Sequence, residues 1–128
     1  MLFRSKNMNV AALIGTATSW RHDQAGPLPA DLQSLAVAAR LAARPDCGDP
    51  MDRAVAEFAA PYPAPSMSLT RTYGLSPELR AITNAWDLAG GGAAAYCKGA
   101  PEDIVRLCGL QPEAAAAVSA HEIGRAHV

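Results

Sequence analysis

The sequence predicts an α+β domain with a mainly antiparallel sheet, on which a helical hairpin and further helices pack. Three observations lead there. Met8–Ile14, Ser68–Tyr73, Arg80–Trp86 and Ala93–Cys97 are short, β-branched or alternating runs of strand length. Two segments with helical spacing stand together between the first and second of these runs, and another follows the last. The later runs are joined by turn residues instead of helical crossovers, which favours antiparallel pairing.

Taken in order, Met8–Ile14 is apolar with a β-branched end and reads as a strand. Gly15–Gly26, which carries Trp20, Arg21 and His22, reads as loop. Pro27 and Pro29 lead into a helix over Ala30–Ala43, whose Leu32, Leu35, Ala36 and Ala39 recur on one face. Arg44–Gly48 breaks it. The next start signal is complete: Asp49 can cap, Pro50 suits the first helical position, and Asp52 meets the positive end of the helix dipole. Ala54, Val55, Phe58 and Ala59 then form an apolar stripe on a short helix, Pro50–Ala59. Pro61, Pro63 and Pro65 make a rigid connector. Ser76-Pro77-Glu78 turns the chain between the second and third strands, and Gly90-Gly91-Gly92 between the third and fourth. A helix opens at Pro101 with Glu102 and Asp103 in its first turn; Ile104, Val105 and Cys108 are expected to face the core, and Gly109 to end it. Pro112–Ala120 begins one more helix.

Composition narrows the function classes. The chain has 128 residues, which suits one domain, and half of them are apolar. Much of that half is alanine, and aromatic residues contribute only 5%, so the core is expected to be marginal. Eleven basic and twelve acidic residues are interleaved, without the clustered cations of a phosphate-backbone footprint, which argues against nucleic acid as a partner. No apolar run is long enough to span a bilayer. Cys47, Cys97 and Cys108 show no C-x-x-C spacing; they are expected to be small buried or half-buried thiols, and neither a disulfide framework nor a metal site. His22, His121 and His127 have no metal spacing with them. The Gly90–Gly92 run is not a phosphate-binding P-loop, because the only nearby lysine precedes its glycine.

The segment with the most chemistry is Tyr96-Cys97-Lys98-Gly99-Ala100-Pro101-Glu102-Asp103. Lys98 leaves the end of a strand, where its ammonium can meet a ligand anion or lie alongside a base; it can equally point to solvent from an ordinary strand-to-helix turn. Gly99 lacks a Cβ, so either backbone or ligand can come close there. The following helix presents N–H groups, but its own Glu102 and Asp103 compete for that field, so phosphate is not placed directly on it.

This segment resembles the Lys-Gly-Ala-Pro-Glu signature of the nucleotide-binding domain of P-type cation-transporting ATPases. Two further stretches agree in order. Asp49-Pro50-Met51-Asp52-Arg53-Ala54 is similar to the family's acidic helix start, and Leu75-Ser76-Pro77-Glu78-Leu79-Arg80-Ala81-Ile82-Thr83 to the strand pair before its lysine motif. The resemblance implies ATP as ligand, with magnesium in the full-length enzyme. It gives Lys98 and Gly99 the lining of the adenosine pocket, and Asp52 a hydrogen bond to the adenine amino group, beside its plain role at the helix start. Arg80 falls where relatives carry a lysine reaching towards the phosphates, although an exposed strand arginine reads the same way. Leu75 stands where eukaryotic relatives place a phenylalanine that stacks on adenine, with Tyr73 and Trp86 as nearby aromatics.

The family's phosphorylated aspartate motif, Asp-Lys-Thr-Gly-Thr, does not occur in this sequence. The expectation is therefore a partial nucleotide-binding domain over residues 1–121. It would be inactive alone and would work with the phosphorylation domain, actuator domain and membrane helices of a bacterial inner-membrane pump, on its cytoplasmic side. The alternative is a truncated, nucleotide-independent fragment or interaction module. Residues 122–128 read as the translation of a sequencing adapter. The family's next strand would complete the sheet, and without it an exposed edge is expected. The transported ion is not legible, though the motifs lean towards the calcium-type pumps.

Overall fold

The computed structural model describes residues 2–4, 9–15, 17–109 and 111–113. Among the described residues six strands and three α-helices run in the order β1 (Leu2–Arg4), β2 (Asn9–Ile14), β3 (Ser19–Arg21), α1 (Ala30–Leu41), α2 (Pro50–Ala59), β4 (Met67–Tyr73), β5 (Ala81–Leu88), β6 (Ala93–Gly99) and α3 (Pro101–Cys108). The class is α+β with antiparallel pairing throughout. The strands form two three-stranded sheets, β1-β2-β3 and β4-β5-β6.

The helix limits follow local chemistry. Asp49 caps α2 by accepting from the Met51 amide at 2.8 Å, and Pro50 occupies the first turn. α3 begins at Pro101 and ends where Gly109 adopts the left-handed conformation with φ 59°. α1 stops at Leu41, two residues before the expected end, because the chain passes into a 3-10 turn at Pro45–Cys47. Residue 44, directly before that proline, is disfavoured from helical geometry and takes φ −127°, ψ 73°. In the β5–β6 hairpin Gly91 and Gly92 have φ 97° and 93°, which explains a glycine run at that corner.

Three expectations change. Ser19–Arg21, read as loop, pairs with β2 as a strand, Leu13 opposite Trp20. Three residues are too short a run to show alternation. Cys108 is exposed, as are Cys47 and Cys97, so none of the thiols is a core group. On α3 the residue turned inward is Asp103, since a carboxylate with strong partners can take the buried position. The helix expected over Pro112–Ala120 is seen only at its first two residues; its remainder and the 122–128 tail lie outside the described residues.

The hydrophobic core sits between β2 and the α1–α2 hairpin. Val10, Leu13, Leu28, Leu32, Ala36 and Ala59 are buried together, with Trp20, Leu35, Phe58 and Tyr62 against them. Trp20 and Phe58 meet with centroids 5.3 Å apart and rings tilted by 53°. α1 also touches β6, so one helix bridges both sheets. In the second sheet Ala81 alone among the described hydrophobic residues is fully buried.

Candidate functional site

Asp52 lies in the first turn of α2, only 5% exposed, and Lys98 near the end of β6. Though 46 residues apart in sequence, they meet: Lys98 Nζ donates to Asp52 Oδ1. The other carboxylate oxygen, Oδ2, accepts the Arg44 amide at 2.9 Å. A carboxylate offers about four lone-pair directions, so Asp52 keeps acceptor capacity for a third donor. Its side chain is 7% exposed and that of Lys98 34%. Of the pair, Lys98 is the more open to solvent, on a flexible stem.

Arg44 extends the site towards the sheet. Its Nη1 donates to Thr72 Oγ1 at 2.8 Å, while Nε and Nη2 bind Asp46 at 3.1 and 3.0 Å. The hydrogen bonds and charge of Asp46 raise the Arg44 pKa above its usual value, and Arg44 lowers that of Asp46. Thr72 in turn donates to Asn84 Oδ1 at 2.8 Å. Asn84 is wholly buried; its Nδ2 donates to the carbonyls of Leu41 at 3.0 Å and Ala43 at 3.1 Å. Trp86 Nε1 also donates to Leu41 O, at 2.9 Å. Arg44, Thr72 and Asn84 were not singled out from the sequence. The available signal was Asn84, an amide in mid-strand among apolar neighbours, where a buried polar group demands partners.

Gly99 follows Lys98 and its role is now specific. A Cβ there would lie 2.3 Å from Arg80 O and 2.6 Å from Ala81 Cα. The empty space is thus used by the β5 backbone, the first of the two possibilities the sequence left open.

Arg80 faces α3. Its amide and Nε donate to Asp103 Oδ2 at 2.7 and 3.2 Å, its Nη2 lies 3.4 Å from Glu102, and Arg106 reaches Asp103 Oδ1 at 3.1 Å. The backbone hydrogen bond from Arg80, aided by the two guanidinium charges, holds the Asp103 carboxyl below its usual range. Leu75 is 67% exposed in the loop after β4. By register, Tyr73 opposes Thr83 and Lys98 opposes Ile82, so this loop leaves the sheet at the end that carries Lys98. Tyr73 is half exposed beneath the Arg71 guanidinium, and Trp86 is committed to Leu41.

A separate open cavity of about 350 Å³ lies between α1 and the proline connector, lined by Gln33, Ser34, Val37, Tyr62, Pro63 and Tyr96 among others. Asp52 and Lys98 are not part of it. Among the described residues no group of three or more His, Cys, Asp or Glu side chains is placed to hold a metal, and no helix is long and apolar enough to cross a membrane. Comparison with known protein families, curated proteins and solved structures gives no match for this chain.

Proposed function

We propose that this chain is an ATP-binding module of a P-type cation-transporting ATPase. It holds the nucleotide and presents its γ-phosphate to a separate phosphorylation domain, with magnesium at the phosphates in the full-length pump. The observation that carries this reading is the meeting of Asp52 and Lys98 at one spot, between the start of α2 and the end of β6. An acceptor for a base amino group and a cation for the nucleotide are thereby side by side, on rigid elements. The ordered sequence resemblances around Asp52, Arg80 and Lys98 support it, and so does the position of the Leu75 loop at the same end of the sheet.

Binding would proceed by exchange. Lys98 leaves Asp52 Oδ1, the base amino group takes its place, and the ammonium turns to the phosphates or lies along the base. Arg44 keeps Oδ2 and the orientation of the carboxylate. With an aliphatic side chain at position 75, base stacking supplies less than an aromatic would, so the expected affinity is weak. The chain contributes positioning. The phosphorylated aspartate, actuator domain and membrane helices belong to the rest of the pump, on the cytoplasmic face of a bacterial inner membrane.

The test is an ATP titration followed by amide NMR. Shifts centred on Asp52, Lys98 and Gly99, lost in Lys98→Met, are expected; a spectrum unmoved near Lys98 at millimolar ATP overturns the reading.

One observation favours a second reading, a nucleotide-independent fragment in which the same pair is only a clasp. Asp52 and Lys98 already satisfy each other, and no buried side-chain nitrogen or oxygen among the described residues lacks a partner. In that case Lys98→Met lowers stability and ATP changes nothing.

A further inference from the structure

The Asp52–Lys98 pair depends on one peptide group. Arg44 N–H, which donates to Asp52 Oδ2, and Ala43 C=O, which accepts from Asn84 Nδ2, belong to the same peptide unit. A peptide unit is planar, so fixing the direction of its oxygen fixes that of its N–H on the opposite edge. Asn84 and Asp52 therefore grip the two sides of a single plane. The segment holding it is irregular, after α1 has ended and before the 3-10 turn, with no helical ladder to orient it. A second path closes the ring: the Arg44 guanidinium returns to Thr72 Oγ1, which donates to Asn84 Oδ1. Both amide donors and the amide oxygen of Asn84 are thereby used, in a site with no solvent exposure.

We infer that Asn84 is the positioning residue of the candidate site: through the Ala43–Arg44 peptide it sets the carboxylate of Asp52 opposite Lys98, its own hydrogen bonds going to Leu41, Ala43 and Thr72. Alternatives to Asn84 fit poorly. Aspartate would set a negative oxygen against the Leu41 and Ala43 carbonyls, and leucine would take the side-chain donor from the Ala43 carbonyl, leave the Leu41 carbonyl with Trp86 alone and remove the acceptor of the Thr72 hydroxyl. In a low-dielectric setting the hydrogen bond to the carbonyl also polarises the N–H on the far edge, strengthening its bond to Asp52. As a reading of the site's regulation, this makes the nucleotide pocket and the joint between α1 and the second sheet one unit. A change at either end is felt at the other, and such coupling is reciprocal.

The inference rests on the nucleotide-site reading only for its functional meaning, and its test needs no nucleotide. The chain has two lysines, Lys6 and Lys98, so lysine-selective isotope labelling gives two signals, and Lys98→Arg assigns them. In the full chain Asp52→Asn moves the Lys98 side-chain signal. Asn84→Ala, with its fold verified by the amide spectrum, is expected to produce most of that displacement, and adding Asp52→Asn to it little more. A Lys98 signal unmoved in folded Asn84→Ala overturns the inference. Should Asn84→Ala not fold, the reverse measurement decides: Asp52→Ala must shift the Asn84 side-chain amide protons and speed their exchange, although the hydrogen bonds of the two side chains go to opposite edges of the peptide; unaltered Asn84 protons overturn it. ATP affinity is a separate arm. If the wild type binds, folded Asn84→Ala should bind about 5-fold or more weakly, and unchanged affinity counts against the inference. A wild type that does not bind removes the nucleotide reading and leaves the lysine result to stand or fall alone.

Discussion

The two sheets are held in place by different forces. The β1-β2-β3 sheet meets the helical hairpin through apolar side chains: Val10, Leu13, Leu28, Leu32 and Ala36, with the Trp20–Phe58 contact over them. The β4-β5-β6 sheet has only Ala81 buried among its described hydrophobic residues. Its attachment is directional: Asn84 and Trp86 to the end of α1, Thr72 to Arg44, and Lys98 to Asp52. Area burial is tolerant of small displacements, because it has no preferred direction. Hydrogen bonds and an ion pair fix angle and register, and their failure leaves buried groups unsatisfied. The candidate site lies on the directional side, where geometry is defined most narrowly.

The largest effect should come from the apolar side. Leu32 is wholly buried against β2 and the Gly15 backbone region, so Leu32→Ala should cost about 2–5 kcal/mol in chemical denaturation. In a core this small that loss should unfold a large share of the molecules, and a change under about 1 kcal/mol, below the range for such deletions, would show the core to be looser than described.

Next comes the backbone contact on the directional side. Gly99→Ala forces a Cβ into Arg80 O and Ala81 Cα, and should cost about 1–3 kcal/mol while parting β5 from β6 at the Lys98 end. Hydrogen exchange at the Ala100 amide, which donates to Arg80 O at 2.9 Å, would report that opening directly.

A smaller, pH-dependent effect should appear at α3. The folded Asp103 carboxyl titrates below its usual 3.8, so it contributes stability that is fully present above that value and lost as pH falls through the lowered one. Asp103→Asn should therefore be less stable than wild type at neutral pH, with the two curves converging in acid. Parallel curves down to the acid limb would detach Asp103 from the docking of α3. Least of all, Leu75→Ala should change stability by no more than about 0.5 kcal/mol, because the side chain is 67% exposed; a larger loss would reveal packing of this loop.

Legibility followed the same division. The apolar stripe of α2 and its start at Asp49-Pro50 were readable because capping and ring geometry act within four residues. Strands β4, β5 and β6 were found within two residues at either end from their alternation and the glycine turn. β3 was missed for want of length, and the exposure of Cys108 was missed because Asp103 takes the inward position on α3. Of the candidate residues, Asp52 and Lys98 came together, whereas Arg80 turned to the acidic start of α3 and Leu75 to solvent. Arg44 and Thr72 carried no signature of their own and Asn84 only its place among apolar neighbours, since a polar residue on a strand reads alike whether it faces water or a buried carbonyl.

The sequence by itself determined the α+β class, the starts of α1, α2 and α3 and the hairpin corner, because each depends on dihedral limits and neighbours a few positions away. The tertiary structure alone decided that the strands divide into two sheets, that the missing Cβ of Gly99 is claimed by β5, and that one peptide is held between Asn84 and Asp52. The last two reach from Ala81 to Gly99 and from Ala43 to Asn84, 41 positions in the second case, and only the folded path of the whole chain sets which of many compatible groups become neighbours.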